Sequence, residues 1–259
     1  MSDILANIID AHAHCGIIDQ YPPQSFEDYL AHVKSSPIDG VVMFSPVAEI
    51  YDRNDPDFQD NLHWRNQREA SNQYLLGLGS RELEVIPYFF IWNDFAVGQL
   101  TTTQRGIKWH RHADEPAYNY DDPACRAAIN EIRRRNMPVV LEEELKNTIR
   151  FINDLATEVR VIIPHLGFLN GGYRAIERNG LWQHPRVYTD TSLASPATIM
   201  AYVRSYGHER IMFGSDFPFG DPAAEFEKIR RLPLSRDLKE AITGGNIKKL
   251  LKTSNRLAG

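Results

Sequence analysis

The stretch Asn7-Ile8-Ile9-Asp10-Ala11-His12-Ala13-His14 is a short apolar run that ends in two histidines. Because successive side chains of a β-strand point to opposite faces, His12 and His14 are expected on the same face, two positions apart. Two imidazoles on one side of a strand end can bind one divalent metal ion. If they do so here, the ends of other strands must supply the remaining ligands.

Further runs rich in apolar and β-branched residues follow this first run, and several of them are apolar almost throughout. Continuous apolar runs are typical of parallel strands that are covered on both faces. The eight predicted strands cover residues 7–14, 38–47, 84–92, 106–110, 138–144, 160–167, 187–193 and 211–218.

Helix signals lie between these runs. Asp122-Pro123, Ser195-Pro196 and Asp221-Pro222 each place a capping side chain before a proline at the first helical position. A closing helix is predicted over 246–252. Strands that alternate with helices over 259 residues predict an α/β protein, a single (β/α)8 TIM barrel with one domain over 1–259. A doubly wound open sheet is the alternative, but no glycine-rich phosphate loop supports it.

Composition narrows the function classes. The chain has 29 basic and 34 acidic residues and a net charge of −5, which gives no electrostatic case for binding nucleic acid or a membrane surface. Two cysteines without a CxxC motif argue against a disulfide scaffold or a thiolate zinc site. No apolar run approaches the roughly 18–20 residues that span a bilayer. We therefore expect a cytoplasmic protein with a small-molecule substrate, and a homo-oligomer stays open.

Titratable side chains recur where the predicted strands end. In a barrel these ends meet on one face. Alone, each has a structural explanation, since a strand-end aspartate often caps a helix and a lone histidine is often a hydrogen-bonded core residue. Their joint occurrence favours one functional site. The residues are His12, His14, Lys108, His110, Glu142, Glu144, His165, Asp190 and Asp216.

At these positions the chain resembles the amidohydrolase superfamily of metal-dependent (β/α)8 enzymes. The resemblance is to the amidohydrolase-related branch that includes aminocarboxymuconate-semialdehyde decarboxylase, and it spans nearly the whole chain. The matching motifs are D-x-H-x-H at 10–14, G-x-K-x-H at 106–110, Pro-His-Leu-Gly at 164–167, Val-Tyr-Thr-Asp-Thr-Ser at 187–192, Phe-Gly-Ser-Asp-Phe-Pro at 213–218 and Gly-Asn-Ile-Lys-Lys-Leu-Leu at 245–251.

The resemblance implies a role for each matching residue. His12 and His14 would be metal ligands, and Asp216 would be a ligand that also handles a proton. His165 would act as a general acid/base or polarise an oxyanion. Lys108 and His110 would line the substrate pocket. Separately, five residues in or near the predicted loops after the second and fourth strands are candidates for binding an aromatic or carboxylated substrate: Tyr51, Arg53, Trp109, Arg111 and His112.

One departure from the family concerns the fifth strand. The family usually has a metal-binding histidine there, whereas this chain has Glu142 in Pro138-Val139-Val140-Leu141-Glu142. We expect one divalent ion, with zinc as the first expectation, held by His12, His14, Asp216 and Glu142. The oxygen ligand of Glu142 would shift preference toward manganese or iron. In the alternative, Glu142 does not reach the metal.

The predicted activity is hydrolysis of a carboxylic ester, lactone or amide in a small molecule, through a metal-activated water. The first alternative is non-oxidative decarboxylation of a small aromatic or unsaturated carboxylic acid, which the same residues support in relatives. The second alternative is a non-catalytic or metal-free barrel that binds a small molecule. The missing fifth-strand histidine favours this last alternative.

Overall fold

A computed structural model of the chain describes Leu5, residues 7–18 and residues 22–253. Eight parallel strands form one sheet in sequence order, as the sequence predicts. Each strand lies beside the next, which is the topology of a (β/α)8 barrel. The strands are β1 (Ile8–His14), β2 (Ile38–Phe44), β3 (Glu84–Phe90), β4 (Gly106–His110), β5 (Val139–Glu142), β6 (Val161–Ile163), β7 (Val187–Asp190) and β8 (Ile211–Met212).

Helices connect most of the strands. The described helices are α1 (Phe26–Val33), α2 (Leu62–Tyr74), α3 (Pro123–Arg134), α4 (Leu145–Arg150), α5 (Tyr173–Arg178), α6 (Pro196–Tyr206), α7 (Pro222–Arg230), α8 (Arg236–Glu240) and α9 (Asn246–Thr253). The predicted caps Asp122, Ser195 and Asp221 each accept a backbone N–H of the following helix. Between β3 and β4 the chain makes only a short 3₁₀ turn, Val97–Gln99. Within the described residues, no helix is both long and apolar enough to cross a bilayer.

The barrel closes between its first and last strands. The backbone N–H of Ala11 donates to the Phe213 carbonyl at 2.9 Å, and that of His14 donates to the Phe217 carbonyl at 2.8 Å. Ala13 pairs with Phe217 as an isolated parallel bridge. The seam of the barrel is therefore formed by β1 and the segment that follows β8, both of which carry predicted metal ligands.

Two layers of apolar side chains hold the barrel. The larger cluster lies between the strands and the helices and contains side chains such as Val41, Ile107 and Val139. A smaller cluster, which includes Val42 and Val140, contains the alternate positions of the same strands. Because neighbouring strand residues face opposite sides, the smaller cluster fills the barrel interior.

The long loop after β2 is fixed by a buried arginine of α2. The Arg68 guanidinium donates to the carboxylates of Asp60 and Asp94 and to the Ile50 carbonyl, at 2.6–3.0 Å. Arg68 itself is buried. This clamp positions the loop residues that reach the site.

The last three strands are shorter than predicted. The sequence predicts strands over 160–167, 187–193 and 211–218, but the chain leaves the sheet after Ile163, Asp190 and Met212. After β6 and β8 the backbone turns at His165 and Asp216, whose φ angles are 55° and 58°. At these two left-handed residues the backbone no longer continues the parallel strand pairing, so the side chains of His165 and Asp216 do not follow strand alternation.

Candidate metal and catalytic site

The two histidines of β1 face the barrel interior because the strand contains a bulge. Asp10 pairs with Val41 and Ala13 pairs with Met43, so that β1 uses one more residue than β2 over this span. A bulge re-aims the side chains that follow it. His12 and His14 consequently point into the carboxyl end of the barrel, as the H-x-H pattern predicts.

Asp216 meets these two imidazoles. Its Oδ1 atom lies 3.3 Å from His12 Nε2 and 3.4 Å from His14 Nε2. The Asp216 N–H donates to the His12 carbonyl at 2.8 Å, which holds the turn after β8 against β1. The three ligand atoms lie within 4.8 Å of one another and all three residues are buried. We call His12, His14 and Asp216 the first ligand group.

Asp190 of β7 orients two of the site histidines. Its Oδ2 atom accepts a hydrogen bond from His12 Nδ1 at 2.9 Å, which leaves the Nε2 lone pair facing Asp216. Its Oδ1 atom accepts the Ser192 hydroxyl, whose oxygen is 2.8 Å from His165 Nδ1. A carboxylate behind a ligating histidine fixes its tautomer. The sequence placed Asp190 at a strand end but gave no signal of this role.

His165 presents its Nε2 atom to the first ligand group, between two carboxylates. Its Nε2 atom is 3.9 Å from Asp216 Oδ2 and 3.5 Å from Glu142 Oε2. Among the described residues this buried atom has no hydrogen-bond partner. Burial alone would lower the pKa of His165, but the carboxylates of Asp216 and Glu142 raise it to about 9. The ring is thus poised to hold a proton beside the site.

Lys108 and Glu142 form a buried ion pair across β4 and β5. Lys108 Nζ lies 3.0 Å from Glu142 Oε2 and 3.4 Å from His12 Nε2. Its ammonium also sits 4.4 Å from the centre of the Phe44 ring. Burial alone would raise the pKa of Glu142, but His110 and Lys108 hold it well below its usual value. Glu142 is therefore an ionised carboxylate at the centre of the barrel mouth.

His110, His112 and Arg53 surround the opening. His110 Nε2 and His112 Nε2 lie 3.0 and 2.8 Å from Glu142 Oε1. Arg53 Nε donates to Glu115 Oε1 at 2.8 Å. His110 and Arg53 line the cavity at this opening, whereas Lys108, which the sequence predicts to line the substrate pocket, is fully buried and is not among the lining residues. Glu115 comes from the loop after β4, and no sequence pattern indicates a role for it.

Trp109 does not lie with them. It alternates with Lys108 and His110 on β4, and its ring packs against aromatic side chains between the strands and the helices. The residue is fully buried. The prediction that Trp109 contacts substrate is therefore not retained, because strand alternation turns it away from the cavity.

Asp10 holds the seam of the barrel beneath the site. Its buried carboxylate accepts the Tyr29 hydroxyl at 3.0 Å, the Ser215 hydroxyl at 2.5 Å, and the backbone N–H groups of Ser215 and His12 at 2.8 and 3.1 Å. Burial raises the pKa of Asp10 to about 7. The D-x-H-x-H motif thus supplies a structural aspartate that links β1 to the residue before Asp216.

The first ligand group fits the divalent cation that the family resemblance implies. Burial and the nearby charge of Lys108 lower the pKa of His12 to about 4, so this ring is neutral and keeps a lone pair. Burial alone would raise the pKa of Asp216, but the charge of His165 and the hydrogen bond of His14 hold it below its usual value. Neutral imidazole and ionised carboxylate are the forms that bind metal. Glu142 is not in this group, although its carboxylate lies within 4.8 Å of ligand atoms on His12 and His165.

A cavity of about 220 Å³ opens above the group. It is smaller than the roughly 300–1,000 Å³ of sites for drug-sized ligands. Its walls include His14, Arg53, His112, Leu193 and Phe219. A larger open groove of about 760 Å³ runs between α6 and α7, but the predicted site residues do not line it. The smaller cavity is therefore the candidate substrate pocket.

The family model described as Amidohydrolase matches residues 148–253. This segment includes β6 to β8 and the turn after β8, and so contains His165, Asp190 and Asp216. The comparison with curated proteins returned no match.

Several solved structures share the fold over nearly the whole chain. 2,6-Dihydroxybenzoate decarboxylase from Rhizobium has a TM-score of 0.73 at 14% identity, covering 96% of this chain and 100% of that chain. A dihydroxybenzoic acid decarboxylase from Polaromonas sp. JS666, with bound manganese and the inhibitor 2-nitroresorcinol, has a TM-score of 0.70 at 12% identity, covering 96% and 98%. Amidohydrolase 2 from Bifidobacterium longum subsp. infantis has a TM-score of 0.66 at 16% identity, covering 95% and 99%. At these identities the likeness concerns the barrel alone.

Proposed function

We propose that this chain, an amidohydrolase-related (β/α)8 barrel, is a metal-dependent hydrolase that cleaves an ester, lactone or amide bond of a small molecule. The observation that carries the proposal is the convergence of His12 Nε2, His14 Nε2 and Asp216 Oδ1 beside the buried Nε2 of His165. Ligands, a proton acceptor and a proton donor then lie around one point, which is what hydrolysis by an activated water requires.

The residues divide the work between binding and proton transfer. His12, His14 and Asp216 would hold the ion, which when bound supplies Lewis-acid polarisation and an acidified water. The second oxygen of Asp216 faces His165 at 3.9 Å and can accept a proton. His165 carries a proton on a ring held by Ser192, and can donate it to the developing oxyanion or the leaving group.

The charges around the cavity favour a substrate bond that is itself uncharged. Lys108 is paired with Glu142, and Arg53 is paired with Glu115. Both cations therefore already have carboxylate partners within the described residues. A substrate carboxylate would have to displace one of these partners, whereas an ester, lactone or amide carbonyl would not.

Decarboxylation of a small carboxylic acid is the second candidate. The observation that favours it is the position of Arg53 on the cavity wall, since a guanidinium binds carboxylates well. Two of the similar folds are named as decarboxylases of dihydroxybenzoic acids. Under this alternative Arg53 would exchange Glu115 for the substrate.

A paired assay separates the two reactions. Zinc- and manganese-loaded protein is screened against small lactones, esters and amides by acid release, and against aromatic carboxylic acids by CO₂ release. We expect acid release, and its loss in Asp216→Asn, because the variant removes the ionised carboxylate. CO₂ release without acid release would replace the proposal by decarboxylation.

Metal content identifies the remaining alternative, a non-catalytic barrel that binds a small molecule. If the protein binds no stoichiometric metal and turns over neither substrate class, the chain is a ligand-binding barrel. In that case Asp216→Asn would leave the binding of a small ligand intact. His63→Ala, an exposed substitution on α2, is the control that should change neither metal content nor turnover.

A further inference from the structure

A second set of metal-competent side chains lies beside the first ligand group. His110 and His112 leave the end of β4 two positions apart and repeat the H-x-H spacing of β1. Their Nε2 atoms lie 3.0 and 2.8 Å from the same oxygen, Glu142 Oε1. The three ligand atoms lie within 4.8 Å of one another. Two imidazoles and one carboxylate also make up the first ligand group.

The outer edges of these two rings face a carboxylate. Glu115 Oε1 is 3.4 Å from His112 Nδ1, and Glu115 Oε2 is 3.9 Å from His110 Nδ1. Glu115 is fixed in turn by the Tyr51 hydroxyl at 2.6 Å and by Arg53. Metal-ligating histidines almost always donate to an oxygen acceptor behind the ring; Glu115 is the carboxylate nearest to both rings here, although His110 Nδ1 makes no hydrogen bond among the described residues. With Nδ1 protonated toward Glu115, both Nε2 lone pairs would point at the space beside Glu142.

Arg53 offers an arrangement without metal. Its Nη2 atom is 3.3 Å from His112 Nδ1, although it is closer to Glu115 Oε1, at 2.6 Å. If His112 accepted from Arg53, its Nε2 would carry a proton and donate to Glu142. This arrangement needs only hydrogen bonds. If this metal-free arrangement is the correct one, any side chain at position 112 that can donate a hydrogen bond to Glu142 should replace His112 without loss of bound metal.

The two ligand groups are separate but share a boundary. Glu142 turns Oε1 toward His110 and His112, and Oε2 toward Lys108 and His165. The Lys108 ammonium lies between Glu142 and His12. His112 is partly exposed on the cavity wall, which gives an ion an entry path.

We propose that His110, His112 and Glu142 bind a second divalent cation, separate from the one held by the first ligand group. Two imidazole nitrogens and one carboxylate oxygen suit zinc, manganese or iron, with the remaining coordination positions open to the cavity. An ion here lies beside the substrate pocket, where it would polarise a substrate group. The site does not depend on which reaction the first group supports.

Cobalt titration tests the proposal directly. The full-length protein is stripped with a chelator and dialysed against Co²⁺, and bound cobalt is measured by elemental analysis and by visible absorption. We expect two equivalents per chain in the wild type, one in His112→Ala and one in His14→Ala. The double variant should bind none, and His63→Ala should bind two.

His112→Gln separates coordination from hydrogen bonding. Its amide N–H can still donate to Glu142, but glutamine is a poor ligand for these ions. Loss of one equivalent in this variant supports the second site, and retention of both overturns it. Circular dichroism and the thermal midpoint establish that each variant is folded.

The outcomes distinguish this site from the first. One equivalent in the wild type that survives in His112→Ala and disappears in His14→Ala overturns the second site and leaves the proposed hydrolase intact. One equivalent with the reverse behaviour supports the second site and overturns the first. No bound cobalt in the folded wild type overturns both.

Discussion

Replacing Asp190 by asparagine tests whether the hydrogen bond from His12 Nδ1 sets the tautomer that the first ligand group needs to bind metal. In the wild type, Asp190 Oδ1 accepts the backbone N–H of His165 at 3.0 Å and that of Ser192 at 3.1 Å, and Oδ2 accepts from His12 Nδ1 at 2.9 Å. In Asp190→Asn the amide oxygen should keep the Oδ1 position, because two N–H groups point at it. The amide NH₂ must then face His12 Nδ1.

The exchange inverts the tautomer of His12. A ring that accepts at Nδ1 carries its proton on Nε2, and this nitrogen then has no lone pair for a metal. Substitutions of the oxygen behind a ligating histidine typically weaken metal binding 10- to 100-fold. We therefore expect zinc affinity to fall by about 1.4–2.7 kcal/mol. The shape and the other hydrogen bonds of the side chain stay close to those of the wild type.

Competition with a chromogenic chelator measures the zinc dissociation constant of each protein. The matched control is Asp221→Asn, which changes another aspartate that pairs with a histidine. Asp221 Oδ2 lies 2.6 Å from His32 Nδ1 on the exposed surface, at the start of α7. This control should leave the zinc affinity of the site unchanged.

Wild-type zinc affinity in Asp190→Asn would refute the reasoning. It would mean that His12 does not bind metal through Nε2, or that Asp190 does not set its tautomer. Measuring His12→Ala in the same titration separates these two explanations. If His12→Ala also binds zinc normally, the first ligand group itself is wrong.

Other substitutions test the remaining parts of the structure. Replacing both His12 and His14 by alanine should remove the metal of the first ligand group while circular dichroism shows a folded barrel; full metal content by elemental analysis would contradict that group. Glu142→His should strengthen zinc binding in the chelator titration, because imidazole is the softer ligand, and an unchanged curve would place Glu142 outside coordination. Arg68→Ala should lower the free energy of unfolding in urea by about 3 kcal/mol, because it leaves two carboxylates without their buried cation; a loss below about 0.5 kcal/mol, typical of plain surface changes, would deny the clamp. Burial alone would raise the pKa of Asp60, but Arg68 holds it below its usual value. Ionised Asp60 therefore adds to the free energy of unfolding above the unfolded-state pKa, and this stabilisation is lost as the pH falls through the folded-state pKa. The stability difference between wild type and Asp60→Asn in urea should therefore shrink on acidification, and a constant difference would contradict this linkage.

The fold was predictable because its signals are local and repeated. Each strand is a short apolar run, and Asp122, Ser195 and Asp221 begin their helices as the sequence indicates. The ends of the later strands were not predictable. They depend on left-handed backbone at His165 and Asp216, which neither residue type specifies.

The convergence of the candidate site residues at the barrel mouth was also predictable, but the contacts that support them were not. Strand periodicity brings Lys108 and His110 to one face, and the same rule, applied to Trp109, would have excluded it from the pocket. The role of Asp190 and the placement of Glu115 depend on contacts with residues far apart from them in sequence, namely His12 for Asp190 and Tyr51 and Arg53 for Glu115. The H-x-H of His110 and His112 was visible in the sequence and could have been found by the reasoning that singled out β1.

The first ligand group bridges the seam of the barrel, so an ion bound there would affect barrel closure. His14 lies on the first strand of the barrel and Asp216 follows the last strand, and these two segments pair where the barrel closes. An ion bound to both would stabilise the closed barrel, because β1 cannot separate from the segment after β8 without losing the ion. Since a ligand that binds only the closed form stabilises it by mass action, amide exchange along β1 should slow when metal is added, even far from the ligands themselves.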